Sequence, residues 1–144
     1  KEIIASYNEQ FNTLEAFTKS CIKLAREKEY AETIMGRRRK LPGINSNNGM
    51  VKAFAERNAV NAPIQGSAAD IIKVAMVKLF NELEKGDWKA KIIMQVHDEL
   101  VLDVPKDELE LLKPIVRECM ESAVEITVPL IVDMKSGEDW LAAH

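Results

Sequence analysis

The chain has 144 residues, of which 47% are hydrophobic and 30% are charged, with a net charge of −3. This length fits one structural unit spanning residues 1–144, and this balance of residues excludes a disordered chain. No apolar run approaches the roughly 20 residues that a membrane span needs, and residues 1–6 lack the apolar segment of a signal peptide.

The first half of the chain predicts a helix, a hairpin and a second helix. Apolar residues recur at steps of three and four over residues 4–28, which indicates an amphipathic helix. Residues 30–41 predict a small hairpin with a basic return strand. The turn-rich residues 45–49 can cap a helix, and we expect that helix to stop or kink at Pro63.

The middle of the chain predicts another helix and a hairpin. Ser67 can act as the N-cap of this helix with Asp70 in its first turn, and its apolar residues continue to Gly86 on nearly all sides, so we expect deep burial. Residues 91–96 and 100–104 are short β-branched runs separated by three polar residues, which predicts a tight antiparallel hairpin.

The last part of the chain predicts a helix and a strand. Pro105 stands at the start of an amphipathic helix that extends to about Val124, and residues 128–134 indicate a final strand. The predicted fold class is therefore α+β, with long helices packed on one face of a small antiparallel sheet and the hairpin at residues 97–99 central to it. Cys21 and Cys119 have no disulfide-like or zinc-like spacing, so we expect reduced thiols in a cytoplasmic protein.

The polar triplet His97-Asp98-Glu99 is the sharpest chemical feature, because it places two carboxylates at the tip of an otherwise apolar hairpin. Charges beside a buried sheet are costly unless they are paired or bound to a cation, and Mg²⁺ prefers carboxylate oxygens. Because Mg²⁺ keeps several waters and borrows phosphate oxygens, one carboxylate pair is compatible with a nucleotide-linked metal. The alternative is an ordinary solvated turn. The two histidines of the chain are too few for a metal phosphohydrolase.

A second feature is the polar stripe, formed by Arg57, Asn61 and Gln65 at four-residue steps. On a helix this spacing lets the three side chains point the same way, even through a bend at Pro63. These side-chain types hydrogen-bond acceptors on base edges, including minor-groove acceptors that barely differ between A·T and T·A pairs. The alternative is a helix cap with a solvated face. Gly66, next in the chain, lets another backbone or a ligand approach closely.

A third feature is the basic run Arg37-Arg38-Arg39-Lys40. Residues 1–60 contain 11 Lys and Arg against 7 Asp and Glu, a net +4, whereas residues 61–144 contain 9 against 16, a net −7. A polyanion would be attracted to the first half, where the run can neutralise backbone phosphates. A charged surface that only keeps the protein in solution explains the run equally well.

Together, these motifs resemble the C-terminal part of the polymerase domain of bacterial family A DNA polymerases. The segments that carry the resemblance are residues 36–38, 55–59, 61–72, 95–100, 128–130 and 137–144. Their order and spacing match over almost the whole chain. The resemblance implies a palm-like fold that corresponds to much of the palm and the last part of the fingers.

The resemblance also implies a reaction: template-directed transfer of a deoxynucleotide from dNTP to a primer 3′-hydroxyl in DNA replication and repair, by two metal ions. The implied cofactor is Mg²⁺, for which Mn²⁺ can substitute, and the implied partners are primer-template DNA and dNTP. By similarity, Asp98 is the metal-binding carboxylate, Glu99 supports the metal site and His97 lies near the primer terminus. The residues that match the family's DNA contacts are Arg57, Asn61, Gln65 and His97.

Two motifs of the family have no counterpart in this chain. One resembles Asp-Tyr-Ser-Gln-Ile-Glu and carries another metal-binding aspartate, and the other is a helix whose Arg and Lys grip the triphosphate. We therefore expect a portion of a longer protein, with thumb, fingers and palm segments upstream, that is inactive alone. Two alternatives stay open: a metal-independent DNA-binding or structural module, and a fragment of a single-subunit RNA polymerase, which shares the His-Asp pair on a hairpin.

Overall fold

The computed structural model describes residues 11–143, so residues 4–10 of the first predicted helix lie outside the described residues. In chain order the elements are α1 (Asn12–Lys28), β1 (Tyr30–Glu32), β2 (Arg38–Lys40), α2 (Gly49–Lys85), β3 (Lys91–Val96), β4 (Glu99–Asp103), α3 (Leu109–Glu121) and α4 (Trp140–Ala143). No helix in the described part is long and apolar enough to cross a membrane.

Helices and small antiparallel sheets make up the fold, which confirms the predicted α+β class. The prediction of one sheet is wrong in detail, because β1 pairs with β2 and β3 pairs with β4 in two separate two-stranded sheets. The chain divides into two compact units, Lys1–Ser67 and Ala68–His144, and helix α2 belongs to both. The single structural unit expected from the chain length stays a prediction.

The first unit contains α1, the β1–β2 hairpin and the beginning of α2. Helix α1 ends where Glu29 adopts a left-handed conformation (φ 60°) and its N–H donates to the carbonyl of Ala25 at 2.8 Å. Helix α2 begins at the predicted cap cluster, because the side-chain oxygen of Asn48 accepts from the N–H of Met50 at 3.0 Å. The core is built largely from small residues, which bring the backbones close together: Ala25, Ala31, Leu41, Ile44, Ala55, Ala59 and Ala62.

Helix α2 continues through Pro63 without a break. Of the two outcomes predicted at Pro63, the stop is wrong and the kink stays a prediction. A proline removes one helical hydrogen bond, and neighbouring contacts must offset this loss. Ser67 is not an N-cap, since it lies inside the helix and its hydroxyl donates to the carbonyl of Pro63. Asp70 likewise lies inside the helix and is 7% exposed, so it is not in a first turn.

The second unit contains the rest of α2, the β3–β4 hairpin and α3. Its core comprises Leu79, Leu83, Ala90, Leu112, Val116 and Cys119. Helix α3 begins at Leu109, four residues after Pro105. The carboxylate of Glu108, the residue before the helix, accepts from the N–H groups of Lys89 and Ala90, both at 3.1 Å. Both cysteines are free thiols, and burial raises the pKa of Cys119.

Two further predictions about this unit are wrong. Helix α2 is not buried on all sides, since Val77 is 60% and Phe80 is 56% exposed while Leu79 is fully buried; its partners in this unit cover one face only. Residues 128–134 form no strand, because the N–H of Val132 donates to the carboxylate of Glu121 at 3.1 Å and not to a neighbouring strand.

Candidate nucleic-acid interface and carboxylate turn

The carboxylate turn, residues 97–99, lies where β3 meets β4. Val96 pairs with Glu99, so the connection is a two-residue turn of His97 and Asp98, and Glu99 already belongs to β4. Two-residue hairpin turns need positive φ at a central position, and His97 supplies it at φ 53°. The predicted hairpin is thus confirmed, with a turn one residue shorter than the polar triplet.

Gln95 stabilises this turn, a role that the sequence did not assign. Its side-chain amide donates to the carbonyl of His97, two residues further along the chain and inside the turn. A signal for it existed in the sequence, since Gln95 is a polar residue in an otherwise apolar stretch of β3. Two residues earlier, the register shift between Ile92 and Met94 marks a β-bulge, a feature that re-aims side chains near the end of a strand.

The carboxylate turn offers only part of a ligand set for a metal ion. The side chains of His97, Asp98 and Glu99 are exposed. Among the residues that the structure describes, no three His, Cys, Asp or Glu side chains converge on one point. Two adjacent carboxylates fit a Mg²⁺ ion that takes its remaining ligands from water and substrate phosphates, as Mg²⁺ commonly does.

The polar stripe lies on the first-unit part of α2, and all three of its side chains are exposed. At about 100° per residue, Arg57, Asn61 and Gln65 fall within about 80° of one another on the continuous helix. The guanidinium of Arg57 lies 6.0 Å from the ring centre of Phe54, which is itself 60% exposed. The three side chains can therefore contact one ligand surface together.

The basic run divides into arginines that contact the protein and side chains that face solvent. Arg37 donates through Nη2 to the carbonyl of Gly66 at 3.0 Å. Arg38 donates through Nε to Glu32 at 2.7 Å and stacks over Tyr30 at 4.7 Å, and the hydrogen bond to Glu32 raises the pKa of Arg38. Arg39 is exposed.

The predicted site residues fall into two groups. Arg57, Asn61 and Gln65 share one face of α2 in the first unit, and His97, Asp98 and Glu99 share one turn in the second unit. Sequence reasoning missed the residues that support each group: Gln95 beside the turn, and Arg37 and Ser67 beside the stripe.

Comparisons with known proteins identify the class. A family model described as DNA polymerase family A matches residues 1–142, and the chain belongs to this family. DNA polymerase I from Lactococcus lactis subsp. lactis (strain IL1403) is 46% identical over 143 residues, 99% of this chain and 16% of that protein. DNA polymerase I from Bacillus subtilis (strain 168) is 45% identical over 140 residues, 97% of this chain and 16% of that protein.

The fold of this chain also matches that of a solved DNA polymerase structure. The POL domain of Pol1 from M. smegmatis, in complex with DNA primer-template and dNTP, has a TM-score of 0.95 and 41% sequence identity. The match covers 97% of this chain and 25% of that chain. This chain thus spans about one sixth of the length of the curated relatives and a quarter of the solved polymerase domain.

Proposed function

We propose that this chain is part of a DNA-directed DNA polymerase that transfers deoxynucleotides from dNTP to a primer 3′-hydroxyl in DNA replication and repair. The observation that carries the proposal is the polar stripe: three exposed hydrogen-bonding side chains on one face of α2 in a member of DNA polymerase family A. The solved relative from M. smegmatis, which binds DNA primer-template and dNTP, supports these two partners. Family membership also favours a DNA polymerase over a single-subunit RNA polymerase.

The polar stripe would contact the minor groove of the primer-template duplex. Arginine carries five N–H donors, and the amides of Asn61 and Gln65 each carry two. Purine N3 and pyrimidine O2 acceptors occupy nearly the same minor-groove positions in every correct base pair. Donors on one helix face would therefore bind any correctly formed pair and lose contacts to a misshapen one, which checks geometry without reading sequence.

The carboxylate turn would supply protein ligands for the metal. Asp98 and Glu99 would hold Mg²⁺, or Mn²⁺ in its place, and such an ion neutralises charge on phosphate oxygens during phosphoryl transfer. The residues of this chain keep the carboxylates in position: the pairing of β3 with β4 fixes the turn, and the side chain of Gln95 donates to the carbonyl of His97 within it. His97, at the tip of the same turn, would lie near the primer terminus.

The chain alone would bind DNA without extending a primer. Among its described residues, no group of three His, Cys, Asp or Glu side chains is arranged to hold a metal ion, at the turn or elsewhere. A two-metal reaction needs further ligands and contacts that position the triphosphate. The proposed activity therefore belongs to a protein that combines this chain with those groups.

Removal of one minor-groove acceptor tests the proposal. The affinity of the 144-residue chain for a primer-template duplex is measured by fluorescence anisotropy, with the purine of the terminal pair intact or replaced by its 3-deaza analogue, which lacks the N3 acceptor. We expect the analogue to weaken binding about fivefold, the loss of one hydrogen bond. Gln65→Ala should weaken binding similarly and remove the sensitivity to the analogue.

The control is Asn47→Ala, which removes an exposed amide near the beginning of α2. This variant should bind like the wild type and keep the sensitivity to the 3-deaza analogue. Equal affinities of the wild type for both duplexes, together with an unchanged affinity of Gln65→Ala, would show that the stripe does not contact the minor groove.

A further inference from the structure

We propose that Arg37 is a positioning residue for the polar stripe. It would act through the backbone of α2 to fix the direction of Gln65, and not by contacting DNA phosphate itself. The inference rests on the proposed function, because it assumes that Gln65 contacts primer-template DNA. It concerns a residue of the basic run to which the resemblance assigns no role.

The turn of the first hairpin, residues 33–37, bonds to α2 beside Gln65. The N–H of Ile34 donates to the hydroxyl of Ser67 at 3.0 Å, and Nη2 of Arg37 donates to the carbonyl of Gly66 at 3.0 Å. Both acceptors lie within two residues of Gln65 along the helix. The hairpin therefore fixes the backbone directly after the last side chain of the stripe.

Two hydrogen bonds between Thr33 and Arg37 close this turn. The N–H of Thr33 donates to the carbonyl of Arg37 at 2.9 Å, and the N–H of Arg37 donates to the hydroxyl of Thr33 at 3.1 Å. Gly66 fits closely against it, since a Cβ added at Gly66 would lie 2.7 Å from Cγ2 of Thr33 and 3.4 Å from Nη2 of Arg37. A turn that is closed by hydrogen bonds and packs closely on α2 can hold the backbone of the helix in place.

The helix needs such support at this point because Pro63 removes one of its hydrogen bonds two residues before Gln65. The hydroxyl of Ser67 donates to the carbonyl of Pro63 and also accepts from Ile34, so the hairpin and the proline are linked through one side chain. The hydrogen bond from Arg37 to the carbonyl of Gly66 is the second bond from the hairpin to this part of α2. Loss of this bond would let the Pro63–Ser67 segment move and would misdirect Gln65.

A double-mutant cycle tests the inference. Affinities for primer-template DNA are measured by fluorescence anisotropy for the wild type, Arg37→Ala, Gln65→Ala and the double variant, each at several salt concentrations. We expect Arg37→Ala to weaken binding about fivefold in the wild type and less than twofold when Gln65 is already alanine, as for residues that act through one network. The salt dependence should stay unchanged, because no phosphate contact is lost.

Arg39→Ala is the matched control, since it removes the same charge from the same hairpin and Arg39 is exposed. Arg39→Ala should change the affinity for primer-template DNA by the same factor in the wild type and in Gln65→Ala. Circular dichroism melting confirms that each variant is folded. Arg37→Lys, which keeps a cationic hydrogen-bond donor, should restore part of the affinity.

Two other results would contradict the inference, and they can be told apart. Equal effects of Arg37→Ala with and without Gln65, together with a shallower salt dependence, would show that Arg37 contacts phosphate and would overturn the inference. If Gln65→Ala alone leaves the affinity unchanged, the proposed minor-groove contact fails, and the positioning role fails with it.

Discussion

His97 combines a backbone conformation that disfavours most side chains with a position at the tip of the carboxylate turn. At φ 53° it lies in the left-handed region, where a Cβ crowds the following carbonyl. The strain is offset by the paired strands on both sides and by the bond from Gln95 to the carbonyl of His97. A strained residue retained at an exposed turn is consistent with a functional side chain.

Substitutions of His97 should separate strain from function. We expect His97→Gly to be more stable than His97→Ala by about 1 kcal/mol, because glycine adopts positive φ without crowding. Both variants should bind primer-template DNA more weakly than the wild type. Urea unfolding followed by circular dichroism gives the two stabilities, and anisotropy gives the affinities.

Asp107 provides the control for this comparison, since it is exposed and does not have a positive φ. There the order should reverse, with Asp107→Ala more stable than Asp107→Gly. If His97→Gly is less stable than His97→Ala, the turn does not impose strain on the backbone of residue 97.

At the scale of elements, the first hairpin can pack closely on α2 because residue 66 is a glycine and has no Cβ. We expect Gly66→Ala to destabilise the protein by about 1–3 kcal/mol, because its Cβ would overlap the methyl group of Thr33. Thr33→Ser removes that methyl group and keeps the hydroxyl that accepts from Arg37. The double variant Gly66→Ala with Thr33→Ser should therefore recover most of the lost stability in urea unfolding.

A different outcome would contradict this packing. On an uncrowded helix, alanine is more stable than glycine by roughly 0.5–1 kcal/mol. If Gly66→Ala stabilises the protein, or if Thr33→Ser gives no recovery, the hairpin does not pack on α2 as the structure shows.

Local patterns predicted the elements whose contacts are local. The β3–β4 hairpin was predictable because two β-branched runs stand either side of a short polar gap. The path of α2 through Pro63 was not, since the supporting bonds come from Ile34, 33 residues away from Ser67, and from Arg37, 29 residues away from Gly66. Residues 128–134 have a strand-like composition, but a strand needs a neighbouring strand, and Glu121 occupies the N–H of Val132 instead.

The same limit applies to the candidate site. The polar stripe and the carboxylate turn were predictable as groups, because four-residue spacing on a helix and adjacency in a turn place their members together. The supporting residues were not predictable, since the bonds from Gln95 to His97 and from Arg37 to Gly66 depend on the turn geometry and on the packing of the hairpin.

At the scale of the whole molecule, the chain supplies two groups of residues to the proposed polymerase. The first unit, with its net positive sequence and polar stripe, would contact the duplex, and the second unit would supply carboxylates. The chain spans 16% of the length of its relative from Bacillus subtilis. The proposed reaction therefore depends on groups that this chain does not contain.

Metal binding at the carboxylate turn tests the central claim most directly. Mn²⁺ binding is measured by electron paramagnetic resonance for the wild type, Asp98→Asn and Asp107→Asn, each with primer-template DNA and dNTP present. We predict that Asp98→Asn weakens Mn²⁺ binding about tenfold or more, the effect of removing a direct carboxylate ligand, while the exposed control Asp107→Asn binds like the wild type. Equal binding by all three proteins would contradict a metal-binding role for the turn and would favour a metal-independent DNA-binding module.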